Sequence, residues 1–233
     1  MNLDLERGDK LFLDLLIYFF SYLSLTLIPN FFGRKIWWVV AWFIAVNFIF
    51  LLGFIPGFNL GNPLLFLALG QLPWVLIVAD LIFSGKLSSK IGEIPVHEIL
   101  LWQITRLMGL HFILGIFGGH VSAEFAAPLG MSEVLTGIGA VILFFGFNPE
   151  KNWHKTVLIF WNTYGLTSVL SGEYHIVVSN PSFGFSRSSN EVFQYITAYP
   201  QNWQYCFWFP IAICLHATIF YKIYLMRKSK VYI

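Results

Sequence analysis

The sequence predicts an all-α integral membrane bundle of about seven transmembrane helices, and three observations predict it. The first is scarcity of charge: 57% of the 233 residues are hydrophobic and 11% charged, with 19% aromatic. A soluble domain spends about 25% of its residues on charged side chains to cover its surface. The second is a series of apolar segments of about 17 to 25 residues, the length a helix needs to cross a hydrocarbon core. The third is the bunching of Lys and Arg in alternate connections, which is how cytoplasmic loops are marked. A net charge of +2 gives no footprint for nucleic acid.

The segment from Met1 to Lys10 mixes Asp4, Glu6 and Asp9 with Arg7 and Lys10, unlike the basic start of a cleavable signal, so the first apolar segment is expected to be retained. Spans are expected near 11–29, 36–55, 64–83, 97–118, 131–147, 156–178 and 203–225, making residues 1–233 a single transmembrane helical domain. Pro56-Gly57, Asn62-Pro63 and Asn148-Pro149 mark connections. In the fifth span, Gly130, Gly137, Gly139 and Gly146 predict close approach of a neighbouring helix, and Pro128 with its flanking glycines predicts a turn or partly re-entrant entry. The one long connection, 179–202, is rich in Ser, Asn and aromatics and is expected either to cap the outer face or to remain a disordered loop. Cys206 and Cys214, about 12 Å apart along one helix, are expected as core residues that do not bond to each other.

Orientation follows from the basic side chains. Arg34, Lys35, Lys86, Lys90, Lys151, Lys155, Arg227, Lys228 and Lys230 fall on one side, whereas Arg7, Lys10 and Arg187 fall on the other. The N-terminus is therefore expected outside and the C-terminus in the cytoplasm, in a bacterial inner membrane.

Polar groups inside a span cost about 2.5 to 3.5 kcal/mol each, so each requires a partner or a function. The fourth span is the richest, with Gln103 and Arg106 on one face and His111 pointing elsewhere. Arg106 lies about 13 Å from the cytoplasmic end, too deep to reach the interface. Asn162 and His216 are expected at similar depth, about 9 and 13 Å, so Gln103, Arg106, Asn162 and His216 form the candidate ligand-binding group. No carboxylate is expected at the depth of Arg106, because Glu133 is placed near the outer face and Asp80 near the cytoplasmic end of the third span. The unfilled guanidinium then suits an anionic head group, which it can grip as a fork.

A secondary outer group comprises His111, His120, Glu124 and Glu133. On a continuous helix His120 and Glu124 share a face and could hold a metal, but Pro128 favours a hydrogen-bonded turn, and no metal is assigned. Haem is disfavoured because His111 and His216 differ in depth by about 7 Å. Retinal is disfavoured because no Lys lies deep in a span, and the last span carries a single His216, short of the three histidines of the ceramidase and adiponectin-receptor type of membrane hydrolase.

From about Leu100 to Met226 the order of short motifs resembles that of a group of bacterial multi-pass membrane proteins to which no activity is attached. The residues that carry it are Gln103, Arg106, Gly109 and Phe112; Phe125, Ala126, Pro128, Gly130, Glu133, Gly137 and Ala140; Trp161, Asn162 and Gly165; and Pro210 with His216. Glu133 stands where that pattern has Asp, and Ser168 stands where it has a second Asp. The resemblance implies a shared fold with a polar interior.

The functional expectation is a multi-pass membrane protein that binds a small or lipid-like, anionic ligand in an intramembrane polar cavity, for transport or sensing. The alternative is a structural or assembly subunit of a larger membrane complex or homo-oligomer. A membrane-embedded enzyme stands third, and it would need His111, His120, Glu124 and Glu133 to converge on one cavity.

Overall fold

Pro95, with φ −63° and ψ 143°, sets the direction of the chain entering the first helix, and Glu98 in the first turn faces the positive end of the helix dipole. The structure, a computed structural model, describes residues 93–179 and 208–229 together with isolated positions between 15 and 89. Helix α1 (Val96–Gln103) runs without an intervening residue into a 3-10 segment (Ile104–Gly109) and then into α2 (Leu110–Phe117). The three pieces make one rod, Val96–Phe117, of 22 residues. Helix α3 (Ala123–Gly146), α4 (Asn152–Ser179) and α5 (Phe209–Ser229) complete the described elements, which are all helical.

The reversal between α2 and α3 needs glycine. Gly119 has φ +70°, in the left-handed region that a Cβ disfavours. The reversal between α3 and α4 is pinned by Asn148 instead: its Oδ1 accepts from the backbone N–H of Glu150 at 2.9 Å, and its own N–H donates to Nδ1 of His154 at 2.8 Å. That is the self-capping turn chemistry expected of Asn before Pro.

Small residues set how closely the rods pack. On α3, Ala126, Gly130, Glu133, Gly137 and Ala140 are buried along one stripe, at the three-to-four-residue spacing of a single helix face. A Cβ added to Gly130 would lie 2.9 Å from the carbonyl oxygen of Gly109, and one added to Gly137 would lie 2.8 Å from the backbone nitrogen of Leu107. The backbones of the 3-10 segment and α3 thus touch directly, antiparallel, which only glycine permits. Gly139 instead receives the indole of Trp161 on α4, whose Nε1 donates to the carbonyl of Thr136 at 2.9 Å. Gly146 has open space around its Cα. The pairs Ser132 with Ser168 and Leu129 with Gly172 show that α4 runs antiparallel to α3, and Asn162 with His216 and Gly172 with Phe209 show the same for α5 against α4.

Two of the rods, Val96–Phe117 and Ala123–Gly146, are long and apolar enough to cross a membrane, and Phe209–Leu225 is a shorter apolar helix. The fourth expected span matches the rod at Val96–Phe117; α4 covers the bounds of the sixth but is not among the helices apolar enough to cross a membrane, and the helix of the last span begins at Phe209 in its described part. The fifth span requires a correction. Its helix starts at Ala123, eight residues before the expected 131, and runs through Pro128 rather than turning there. Pro128 sits in the second turn, so the hydrogen bond it forfeits is to a carbonyl at the helix entrance, where such a loss is least disruptive. The expected spans near 11–29, 36–55 and 64–83 and the connection 179–202 lie outside the described residues, apart from isolated positions.

Replacing Gly137 by Leu should force the rods apart and destabilise the protein by about 1 to 3 kcal/mol. Gly146→Leu, which meets nothing, should leave stability unchanged. Melting of the two variants in detergent, against the parent, tests the direct backbone contact.

Candidate functional site

The 3-10 segment decides where Arg106 points. Residues three apart eclipse one another in a 3-10 helix, so Arg106 and Gly109 line up on the side that faces α3. With Gly109 against Gly130 there is no side-chain bulk to hold the rods apart, and the guanidinium reaches a buried stripe whose central residue is Glu133.

Arg106 is 1% exposed and has five N–H donors, each with an acceptor. Nε donates to Oε2 of Glu133 at 2.7 Å, and Nη2 donates to Oε1 of the same carboxylate, a bidentate ion pair. Nη2 also donates to Oγ of Ser168 at 3.2 Å. Nη1 donates to the carbonyl oxygen of Gly165 at 3.0 Å and to Nε2 of His216 at 2.7 Å. One side chain on the first rod therefore binds α3, α4 and α5 at once.

The network fixes the tautomer of His216. A guanidinium can only donate, so Nε2 of His216 accepts and its ring proton resides on Nδ1. Nδ1 donates to Oδ1 of Asn162 at 2.8 Å, and Nδ2 of Asn162 returns a bond to the backbone carbonyl of His216 at 3.0 Å. Gly165 makes room for this imidazole: a Cβ there would lie 2.8 Å from Nε2 of His216. Ser168 Oγ donates to Ser132 Oγ at 2.7 Å while accepting from Arg106. One positive and one negative group are thus buried together, bonded on every side, with no net charge at the centre.

Of the four candidate ligand-binding residues, Arg106, Asn162 and His216 meet as expected from their depths. Gln103 is fully buried one turn before Arg106, but both atoms of its side-chain amide lack a hydrogen-bond partner among the described residues. The expectation that no carboxylate lies level with Arg106 is overturned by Glu133. Because α3 begins at Ala123 rather than 131, Glu133 lies about 15 Å from the helix start instead of at its entrance. The secondary outer group loses its central member in the same way. Glu133 is committed to Arg106, Nδ1 of His111 donates to the carbonyl of Met108 at 2.7 Å, and Glu124 is exposed in the first turn of α3. His120 is half-buried in the reversal beside Gly118. Among the described residues no three His, Cys, Asp or Glu side chains gather as a metal would require.

Two participants were missed in the sequence, Ser168 and the carbonyl of Gly165. Ser168 carried a signal, since the resemblance drawn from the sequence expects an acid at its position, and the structure places its hydroxyl on Arg106. Here the longer Glu133 alone supplies the countercharge.

The described residues define an all-helical assembly, two of its rods long and apolar enough to cross a membrane, knit together by a buried arginine–glutamate centre. Residues 62–224 match the family model described as a domain of unknown function (DUF8737), and the chain belongs to that family. No curated protein and no solved structure matches the chain.

Glu133→Gln keeps the shape of the side chain but leaves Arg106 without a countercharge, and should destabilise the protein by about 3 to 5 kcal/mol. Adding Ser168→Asp places a carboxylate at the hydroxyl that already contacts Nη2, and should recover a large part of that loss. Unfolding of the single and double variants in detergent reads the recovery; an additive or worse double variant would show that charge at this centre is not what stabilises it.

Proposed function

We propose that this is a multi-pass membrane protein of the bacterial inner membrane that holds a small or lipid-like molecule in its polar interior, for transport or sensing. The seven-span arrangement, with the N-terminus outside and the C-terminus cytoplasmic, is part of that reading. It is supported by the distribution of Lys and Arg and by the apolar length of the rods.

The observation that carries the reading is the contrast between Arg106 and Gln103. Every donor of the guanidinium is met by the chain itself, so the anionic head group that an unfilled Arg106 would have called for has no fork left to grip. Gln103, one turn away and 0% exposed, keeps a donor and an acceptor unsatisfied where no lipid can serve them. An amide abandoned in that way costs about 1 to 3 kcal/mol, which leucine at the same position would avoid. Arg106, Glu133, Asn162 and His216 are then the frame that holds the helices in register, and Gln103 is the contact.

The second reading, a structural or assembly subunit of a larger membrane complex, is favoured by the completeness of the Arg106 network, which joins four elements and leaves nothing on the guanidinium for chemistry.

Native mass spectrometry of protein extracted from its own membrane separates the two. A ligand-binding protein should carry a copurifying molecule that Gln103→Leu reduces at least tenfold and Gly146→Ala does not. Equal copurification from both variants, or none from the parent, would favour the structural subunit.

A further inference from the structure

The 3-10 segment is long for its kind. It holds six residues, Ile104–Gly109, with α-helix on either side. Runs of more than three or four are uncommon, because hydrogen bonds in a 3-10 helix have poorer geometry. Nothing in Ile-Thr-Arg-Leu-Met-Gly calls for that winding: it contains no proline, and Arg, Leu and Met are good α formers. The tighter winding is therefore imposed by contacts from outside the segment. Arg106 is gripped by Glu133, Gly165, Ser168 and His216. On the same side, a Cβ on Gly109 would lie 2.8 Å from the carbonyl oxygen of Gly130, and one on Gly137 would lie 2.8 Å from the backbone nitrogen of Leu107, so α3 meets the segment at two further points. At the junction with α1, the hydroxyl of Thr105 donates to the carbonyl of Trp102.

We propose that Ile104–Gly109 is a latched conformational device: the grip of Glu133 and its neighbours on Arg106 holds the segment in the 3-10 form, and loss of that grip lets it rewind as α-helix. Helix geometry fixes what rewinding does. A 3-10 helix rises about 2.0 Å and turns about 120° per residue, against about 1.5 Å and 100° in an α-helix. Over six residues the change draws α2 towards α1 by about 3 Å and turns it by about 120°. Arg106 and Gly109, eclipsed in the 3-10 form, then stand about 60° apart, so the guanidinium and the glycine contact no longer face α3 together. The two windings therefore exclude one another through the same pair of residues. The movement is taken up beyond α2 at Gly119, whose φ of +70° already marks the reversal as a place only glycine fills readily. The state of the buried ion pair is thereby transmitted to the far end of the rod, with or without a bound ligand.

Distances between spin labels, measured by double electron–electron resonance on the full chain in detergent with Cys206 and Cys214 replaced by Ala, test this. Labels at Glu98 and Ile116, half-buried on α1 and α2, bracket the segment. Eighteen residues are five turns of an α-helix, so the two labels share one line of a rewound rod and stand about 120° apart across the 3-10 form. Labels at Met131 and Phe145, both exposed on α3, are the control pair. Arg106→Gln should shorten the first distance by at least about 3 Å, because rise and turn both bring those labels together, and should leave the control pair unchanged. Arg106→Lys retains a charge beside Glu133 but not the fork; it should shorten the first distance too, and it keeps the test open if Arg106→Gln does not fold. Glu133→Gln should act likewise, and adding Ser168→Asp should restore the parental distance. A parental distance in whichever Arg106 variant folds would overturn the latch. Failure of Ser168→Asp to restore it in a folded double variant would overturn the role of the charge pair. An equal shift in the control pair would show the whole bundle responding rather than the segment, and would overturn the device as well.

Discussion

A guanidinium cannot shed its charge, and burying one away from water obliges the rest of the chain to provide for it. Arg106 has all five of its N–H groups met, two by Glu133 and the others by Ser168, Gly165 and His216. Those acceptors come from three different helices. The first rod, α3, α4 and α5 therefore cannot shift relative to one another without breaking a charge-assisted bond where water is not at hand to replace it. His216 illustrates how far the constraint extends. Accepting from Arg106 at one ring nitrogen commits the other to Asn162, and Asn162 in turn holds the backbone of α5.

That centre exists only because backbones come close enough for it. Gly109, Gly130 and Gly137 remove the side chains that would separate the first rod from α3, and Gly165 opens the space that the imidazole of His216 occupies. The 3-10 winding between Ile104 and Gly109 belongs to the same arrangement, since it stacks Arg106 over Gly109 on the face that meets α3. A bidentate pair has little tolerance for separation, so the glycines govern the electrostatics as much as the packing.

Against this economy Gln103 stands in contrast, because both atoms of its side-chain amide lack a partner among the described residues. It lies one turn from a guanidinium whose every donor is used. The contrast carries the proposed function: a chain that meets each hydrogen-bonding demand of a buried arginine has the means to place leucine where no hydrogen bond is wanted.

Composition and spacing were enough, by themselves, to specify an all-helical chain, to mark Arg106 as the side chain demanding an explanation, and to set Asn162 and His216 level with it, because depth along a straight helix is counted at a fixed rise per residue. The stripe Ala126, Gly130, Glu133, Gly137 and Ala140 also held the position of Glu133 in its periodicity, but Pro128 drew the expected helix start past it. Only the tertiary structure decided that the helix continues through Pro128, that Glu133 rather than a ligand neutralises Arg106, and that Gln103 is left out of the network its neighbour commands. Partner choice depends on rotation about each helix axis and on which backbones can touch. Those are settled by the packing of all the rods together, and no single segment's pattern contains them.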